Sequence, residues 1–348
     1  MESSLQKRLL HTLQSLDRNE VSLFHVVMLP DFFVDHFVSL GTVEKTCTAV
    51  KTVAAQGGGN LPGVSQRITQ GGNAANTALA LARLGINAHL ICLTSPLGMH
   101  LLRYFLGNSG VELSGVKTDG DLAITTALEF EEHRSNVMIG DPGSVANFSF
   151  DVLDDHDREL IASADLVGVT NWNLNRSGTD LACKVFELAK KHEVRTFFDS
   201  GDPSPRISDI SDLKNRLLSS PLLDIFGFNE NELRYYGNSL CKTQEEMISA
   251  AVALKKMIPA RVDLHTSLFS GSFRNNFIVV PAMSLSRVYR STGAGDAWNA
   301  ANLFADLLDF ADDERLLFAN MFAGFYISSF DGVYLTIDMF INFIKNRL

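Results

Sequence analysis

The sequence predicts an α/β fold: a central, mainly parallel sheet flanked by helices, with a small second β-sheet beside it. Three observations carry that reading. Short apolar runs alternate with helical stretches along most of the chain, which is the pattern of βαβ units. The 348 residues are 46% hydrophobic and 20% charged, enough for a sizeable core and too apolar for disorder. One stretch, 38–70, breaks the alternation with Thr, Val and Gly in place of a helical pattern.

Each element follows in order. Leu5, Leu9, Leu13 and Leu16 recur at helical spacing, so residues 1–20 read as an amphipathic helical extension before the main domain, 21–348. They lack the compact apolar run of a signal peptide. "SLFHVVML" (22–29) is a first strand, closed by Pro30. The 38–70 segment, with "AQGGGNLPG" (55–63) inside it, reads as short strands and turns and not as a packed helix. With part of 121–140 it is the candidate second sheet. "NAANTALALARLG" (73–85) is a helix stopped by Gly85, and "NAHLICLT" (87–94) a buried strand. Helix–strand pairs follow at 179–193 with 194–199, and at 243–257 with 260–267.

Composition also bounds function. The net charge is −10 with no basic block, which argues against a nucleic-acid partner. No run approaches the ~18 apolar residues of a membrane span. Cys47, Cys92, Cys183 and Cys241 lie far apart, as free thiols of a reducing compartment and not as a disulfide or zinc framework. The nine His show no metal-binding spacing. A cytoplasmic protein is expected.

Two glycine motifs carry chemistry. In "QGGNAANTALALARLG" (70–85), Gly71 and Gly72 permit close backbone approach to a helix start, where Asn73 and Asn76 share one face and suit a polar ligand. A plain strand-to-helix turn with a capping Asn explains the same residues. In "RSTGAGDAWNAANLFAD" (290–306), Gly293, Ala294 and Gly295 offer backbone N–H groups at a helix N-terminus, an anion site, directly before Asp296. A cap alone needs no Gly-Ala-Gly. An anion hole beside a carboxylate base is what phosphoryl transfer to a hydroxyl requires. Neither G-x-x-x-x-G-K-[ST] nor G-x-G-x-x-G occurs, so the P-loop and classical dinucleotide readings lose their main support.

From about Val21 onward the chain resembles the ribokinase-like (PfkB) carbohydrate kinase family, with the family's motifs in the family's order. The resemblance implies a ribokinase-like fold with a β-sheet lid, often also a homodimer interface. It implies an ATP- and Mg²⁺-dependent enzyme that phosphorylates a hydroxyl of a sugar or nucleoside. Asp296 would be the catalytic base, with the 293–296 backbone as anion hole. Gly72, Asn73 and Asn76 would contact substrate, and Asp35, in "PDFFVDHF", would bind sugar hydroxyls. "FNENELRYYG" (228–237) matches the family's N-x-x-E motif, so Asn229 and Glu232 would organise Mg²⁺ through waters. Without the family those two residues read as a helix cap with a capping box.

Some positions depart from the family. Arg290 stands where an acidic residue commonly helps to hold K⁺, so K⁺ is expected to be dispensable. "LHTSLFSGSF" (264–273) replaces the usual nucleotide-side turn, leaving Thr266 and Gly271 as nucleotide contacts. "FFDSGDPSPR" (197–206) has Ser204 where the family has Asn, and implies Asp202 and Arg206 near substrate or phosphates. Asn320 falls in the region that lines the adenine pocket, or is simply a polar helix position. Two rival readings stay open: a nucleoside kinase, for which Phe32, Phe33 and Phe37 offer stacking faces, and a catalytically silent binding protein that kept the fold.

Overall fold

The computed structural model describes residues 2–131, 136–237, 240–273, 276–290 and 292–347. Its strands, in chain order, begin with β1 His25–Leu29, β2 Phe33–Leu40, β3 Ser65–Gly71 and β4 Asn87–Leu90. Next come β5 Cys92–Leu93, β6 Val116–Lys117, β7 Ala123–Phe130 and β8 Asn136–Asp141. β9 Leu166–Val169, β10 Arg195–Asp199, β11 Ile225–Asn229, β12 Arg261–His265, β13 Phe269–Phe273 and β14 Phe277–Pro281 complete the series.

Eight of them form one sheet in the order β14-β13-β12-β11-β10-β9-β1-β4. β4 through β12 run parallel, and β13 and β14 turn back antiparallel at one edge. Strands buried on both faces need apolar side chains at every position. In β1, Val26 and Met28 face one core while Val27 and Leu29 face the other. The first core is built with helices Asn73–Arg83, Ala294–Leu307 and Asp312–Ser328, the second with Gly178–Lys191 and Gln244–Lys255. The N-terminal helix Glu2–Ser15 buries Leu9 and Leu13 in the first core. No helix among the described residues is long and apolar enough to cross a membrane.

The smaller sheet has the order β3-β2-β7-β8. Its strands come from both expected segments, although 132–135 of the second lies outside the described residues. The expectation for 38–70 needs correction in its middle: Val43–Ala55 is an α-helix, not strands and turns. Thr42 caps it by accepting from the Lys45 N–H (3.2 Å), and it buries no residue. Val43, Cys47, Val50 and Ala54 recur at helical spacing, but the Val and Thr content of the segment and its flanking glycines favour strands and turns by propensity.

Parallel strands place their carboxyl ends on one side of the large sheet, where this class of fold binds ligands. Asp31, just past β1, Thr170 and Asn171 past β9, Asp199 ending β10, Asn229 ending β11 and His265 ending β12 all gather there.

Candidate active site

The two glycine motifs, more than 200 residues apart, meet at a single hydrogen bond. Asn76 Nδ2, in the first turn of helix Asn73–Arg83, donates to Asp296 Oδ2 (2.9 Å), in the first turn of helix Ala294–Leu307. Both side chains are buried, Asp296 only 8% exposed. Burial pushes the Asp296 carboxyl well above its usual pKa; the Asn76 N–H pulls it back, and Asp199, Asp31 and Asp35 push it further up.

Glycine is required at both helix starts. Gly293 has φ +81°, and a Cβ there would meet the Tyr326 hydroxyl at 2.6 Å. Gly72 has φ +95°, and its Cβ would come within 2.8 Å of Asp31 Oδ2. That contact reveals a residue the sequence reading passed over. Gly72 has no side chain with which to cap its helix, and Asp31 supplies the cap from the end of β1, accepting from the Ala74 N–H (3.1 Å). Thr170 and Asn171 donate to the same carboxylate, each at 3.0 Å.

A cavity of about 500 Å³ opens above Asn76 and Gly293. The smaller sheet forms one wall. Side chains alternate along a strand, so Asp35 and Phe37 share a face of β2 with their cross-strand partners Thr69 and Arg67 of β3, and all four line the cavity. Asp35 is 9% exposed; burial, and secondarily Asp31, pushes its pKa up to about 6. Its carboxyl lies against the backbone of Gly71, where a Cβ would sit 2.3 Å away. Arg287, Val288, Tyr289, Arg290, Thr292 and Tyr326 contribute the opposite side.

The sequence matches the family model described as pfkB family carbohydrate kinase over residues 35–335. The chain belongs to that family. It is therefore a carbohydrate kinase, a phosphotransferase of the sugar and nucleoside kinase class. The ATP-dependent ribose-1-phosphate kinase of Halopiger xanaduensis is 29% identical over 265 residues, 73% of this chain and 78% of that protein. Among solved structures, Arabidopsis thaliana ribokinase complexed with ribose and ATP aligns with a TM-score of 0.75 at 20% identity, covering 92% of this chain and 98% of that one. Adenosine kinase from Sinorhizobium meliloti gives 0.72 at 18% identity, with 88% and 94% covered. Both share the kinase's fold.

The kinase does not bring every expected residue to the cavity. Asp35, Asn76 and Gly293 line it; Gly72, Asn73, Ala294, Gly295 and Asp296 do not, and Asp296 is joined to the lining through its hydrogen bond with Asn76. Asn229 and Glu232 form the expected capping box at the end of β11. Glu232 accepts from both the Asn229 backbone (2.9 Å) and its Nδ2 (2.7 Å). Burial pushes the Glu232 pKa well up, reinforced by the charges of Asp199, Asp202 and Glu230. Three other expected contacts are committed to structure. The Thr266 hydroxyl closes the β12–β13 turn on the Phe269 carbonyl (2.8 Å). Gly271 lies in β13, where a Cβ would press on the Phe273 ring at 2.9 Å. Asn320 accepts from Trp298 Nε1 (2.9 Å) and donates to the carbonyls of Val280 (3.2 Å) and Pro281 (2.9 Å). Asp202 likewise holds Ser204, and Arg206 holds Asp209 and the Trp172 carbonyl.

Asp199, Asn299 and His265 complete the surroundings. Asn299 Nδ2, one turn after Asp296, donates to Asp199 Oδ2 (2.6 Å), and Asn302, a turn further, donates to Asp263 (2.9 Å). Spacing of three keeps this polar stripe on one side of an otherwise apolar helix. His265 lies against Gly295, and burial lowers its pKa to about 4, so it stays neutral beside the start of the Asp296 helix. Sequence periodicity carried a signal only for Asn299 and Asn302.

Arg290 points inward. Its Nη2 donates to the Phe330 carbonyl (2.7 Å), its guanidinium lies 5.5 Å from the Tyr326 ring centre, and it forms no ion pair with a described carboxylate.

Proposed function

We propose that this kinase transfers the γ-phosphoryl group of ATP to a hydroxyl of a sugar or sugar derivative, with Asp296 as the base and the backbone N–H groups of 293–296 as the anion hole. The observation that carries this reading is the hydrogen bond to Asp296 from Asn76, which lines the same cavity as Asp35. Asp296 lies at a helix N-terminus, so the developing charge on the transferred group meets free N–H donors beside the base. Its raised pKa gives it the basicity to take a hydroxyl proton as the oxygen attacks. Asp35, by accepting from other hydroxyls, would fix which oxygen faces Asp296.

Magnesium typically binds one or two carboxylates, waters and nucleotide phosphates rather than a closed protein cage. The repulsion between buried Glu232 and Asp199 is of the kind a divalent cation relieves, and these two residues would hold its waters. Bound there, the ion would neutralise charge on the phosphates.

The acceptor reading favours sugars over nucleosides. Phe32 and Phe33 are packed in cores, and the Arg67 guanidinium lies over one face of the Phe37 ring, 4.1 Å from its centre, where a base would otherwise stack. The archaeal relative's name adds a phosphorylated pentose to the candidate sugars. The test is Asp296→Asn, assayed with ATP and a panel of sugars, sugar phosphates and nucleosides. Turnover is expected to fall roughly 10²–10⁴-fold with ligand binding retained. Near-normal turnover would remove Asp296 from the role of base.

A further inference from the structure

Tyr326, on helix Asp312–Ser328, lines the same cavity as Asn76 and Gly293. Its hydroxyl stands where Gly293 would carry a side chain: a Cβ there would lie 2.6 Å from the oxygen. Gly293 opens the Asp296 helix, so this O–H lies beside a helix start whose first N–H groups have no acceptor within the helix. No carbonyl or carboxylate among the described residues accepts from it. The ring has little freedom to turn away. Tyr334 stacks on it, with ring centres 4.7 Å apart and planes 8° apart, and the Arg290 guanidinium lies 5.5 Å from its centre. Tyr334 is held in turn by Phe322, stacked at 6.3 Å, and by Arg83, whose Nε donates to its carbonyl (3.3 Å). Arg83 ends the helix whose first turn carries Asn76, while Tyr334 itself does not line the cavity. Packing alone does not call for the oxygen on Tyr326. A phenylalanine would make the same stack on Tyr334 and would lack the atom nearest to Gly293.

We propose that the Tyr326 hydroxyl is a catalytic donor: it hydrogen-bonds the phosphoryl group during transfer, beside the backbone N–H groups of 293–296. This rests on the kinase reading above and adds a side chain to its anion hole. In the step, the bond from the γ-phosphorus to the oxygen it shares with ADP breaks, and a bond to the acceptor oxygen forms. The acceptor's proton passes to Asp296, while Tyr326 keeps its own. The hydroxyl acts on the charge of the phosphoryl oxygens, which a fixed donor in a site poor in water stabilises more than water does. Glycine at 293 is what this placement needs, because any side chain there would displace the oxygen.

The experiment compares the full-length kinase with Tyr326→Phe, Tyr334→Phe and Asp296→Asn. Turnover is measured with ATP and ribose, ribose 1-phosphate or adenosine. Calorimetry gives the Kd of Mg²⁺–ADP with and without aluminium fluoride, which mimics the phosphoryl group in transfer. Tyr326→Phe should lower kcat roughly 10- to 100-fold, with the KM for ATP and for the acceptor changed less than about threefold. It should also lose most of the tightening that fluoride gives to ADP binding in wild type. Tyr334→Phe removes a hydroxyl of the same stack outside the cavity and should behave as wild type in both assays. If none of the three acceptors is used, the fluoride measurement decides. Wild-type kcat and fluoride tightening in Tyr326→Phe overturn the proposal. So does an equal loss in Tyr334→Phe, which would mean that the stack acts only by packing. Absence of tightening in wild type removes the anion hole and the role of Tyr326 with it. Tightening that depends on Tyr326, with turnover unaffected in Asp296→Asn, would uphold the donor and refute the base.

Discussion

Asn76→Ala isolates the contact that joins the two motifs. Asn76 Nδ2 lies 2.9 Å from Asp296 Oδ2, inside a site where burial is the main force raising the Asp296 pKa. A hydrogen bond to a charged group stabilises it by about 1.5–3 kcal/mol, a factor of roughly 10–100 in the balance between carboxylate and carboxylic acid. The bond favours the carboxylate, so the variant's Asp296 should keep its proton to higher pH. Only the ionised form can act as a base. The acid limb of the pH profile therefore moves toward alkaline pH. At any pH on that limb kcat/KM falls roughly 10- to 100-fold, and the deficit narrows as pH rises. The assay is kcat/KM against pH from about 6 to about 10, which reports ionisations of the free enzyme. A deficit equal at every pH would mean that Asn76 only holds the acceptor. A limb displaced toward acid would refute the burial-dominated account of Asp296.

Two further outcomes are expected. A carboxyl whose folded pKa is raised binds its proton more tightly in the native state, so Asp35, at about 6, costs the wild type stability as pH rises from about 4 to about 6. That loss is at most about 3 kcal/mol; Asp35→Asn should lack it and gain in Tm relative to wild type across the window, and parallel Tm–pH curves would refute the claim. Turnover should be the same within about twofold in K⁺ and in tetramethylammonium at equal ionic strength, because a cation about 4 Å from the Arg290 guanidinium is repelled by roughly 4 kcal/mol at an effective dielectric near 20. Several-fold stimulation by K⁺ would show that Arg290 does not exclude it.

The elements that could be read in advance are those whose signal is local. "NAANTALALARLG" is a helix because alanine and leucine favour one, and Gly85, at φ +96°, stops it at little cost. Asn229 and Glu232 form a capping box because three residues of spacing suffice to close it. The Gly-Ala-Gly before Asp296 was readable for the same reason: a backbone turn at φ +81° leaves its mark at the position that makes it. The helix Val43–Ala55 escaped because its Val- and Thr-rich sequence suggests strands, and no buried residue anchors it to a core.

The sequence by itself determined which residue types stand at each helix start, and hence that Gly-Ala-Gly and a carboxylate lie side by side. Only the tertiary structure decided what surrounds them. Asp31 caps a helix 40 residues away because β1 ends beside it, and Asp199 meets Asn299 because β10 ends beneath the Asp296 helix. Asn320, Thr266 and Arg206, expected to contact nucleotide, substrate or phosphates, make hydrogen bonds that the sequence did not indicate. Arg287 and Arg290 lie on the cavity wall with Asp331, a grouping that packing alone produces. Burial, pKa and the pairing of charges are sums over neighbours in space. The neighbours here come from distant strand ends, gathered by a sheet order that no local pattern encodes.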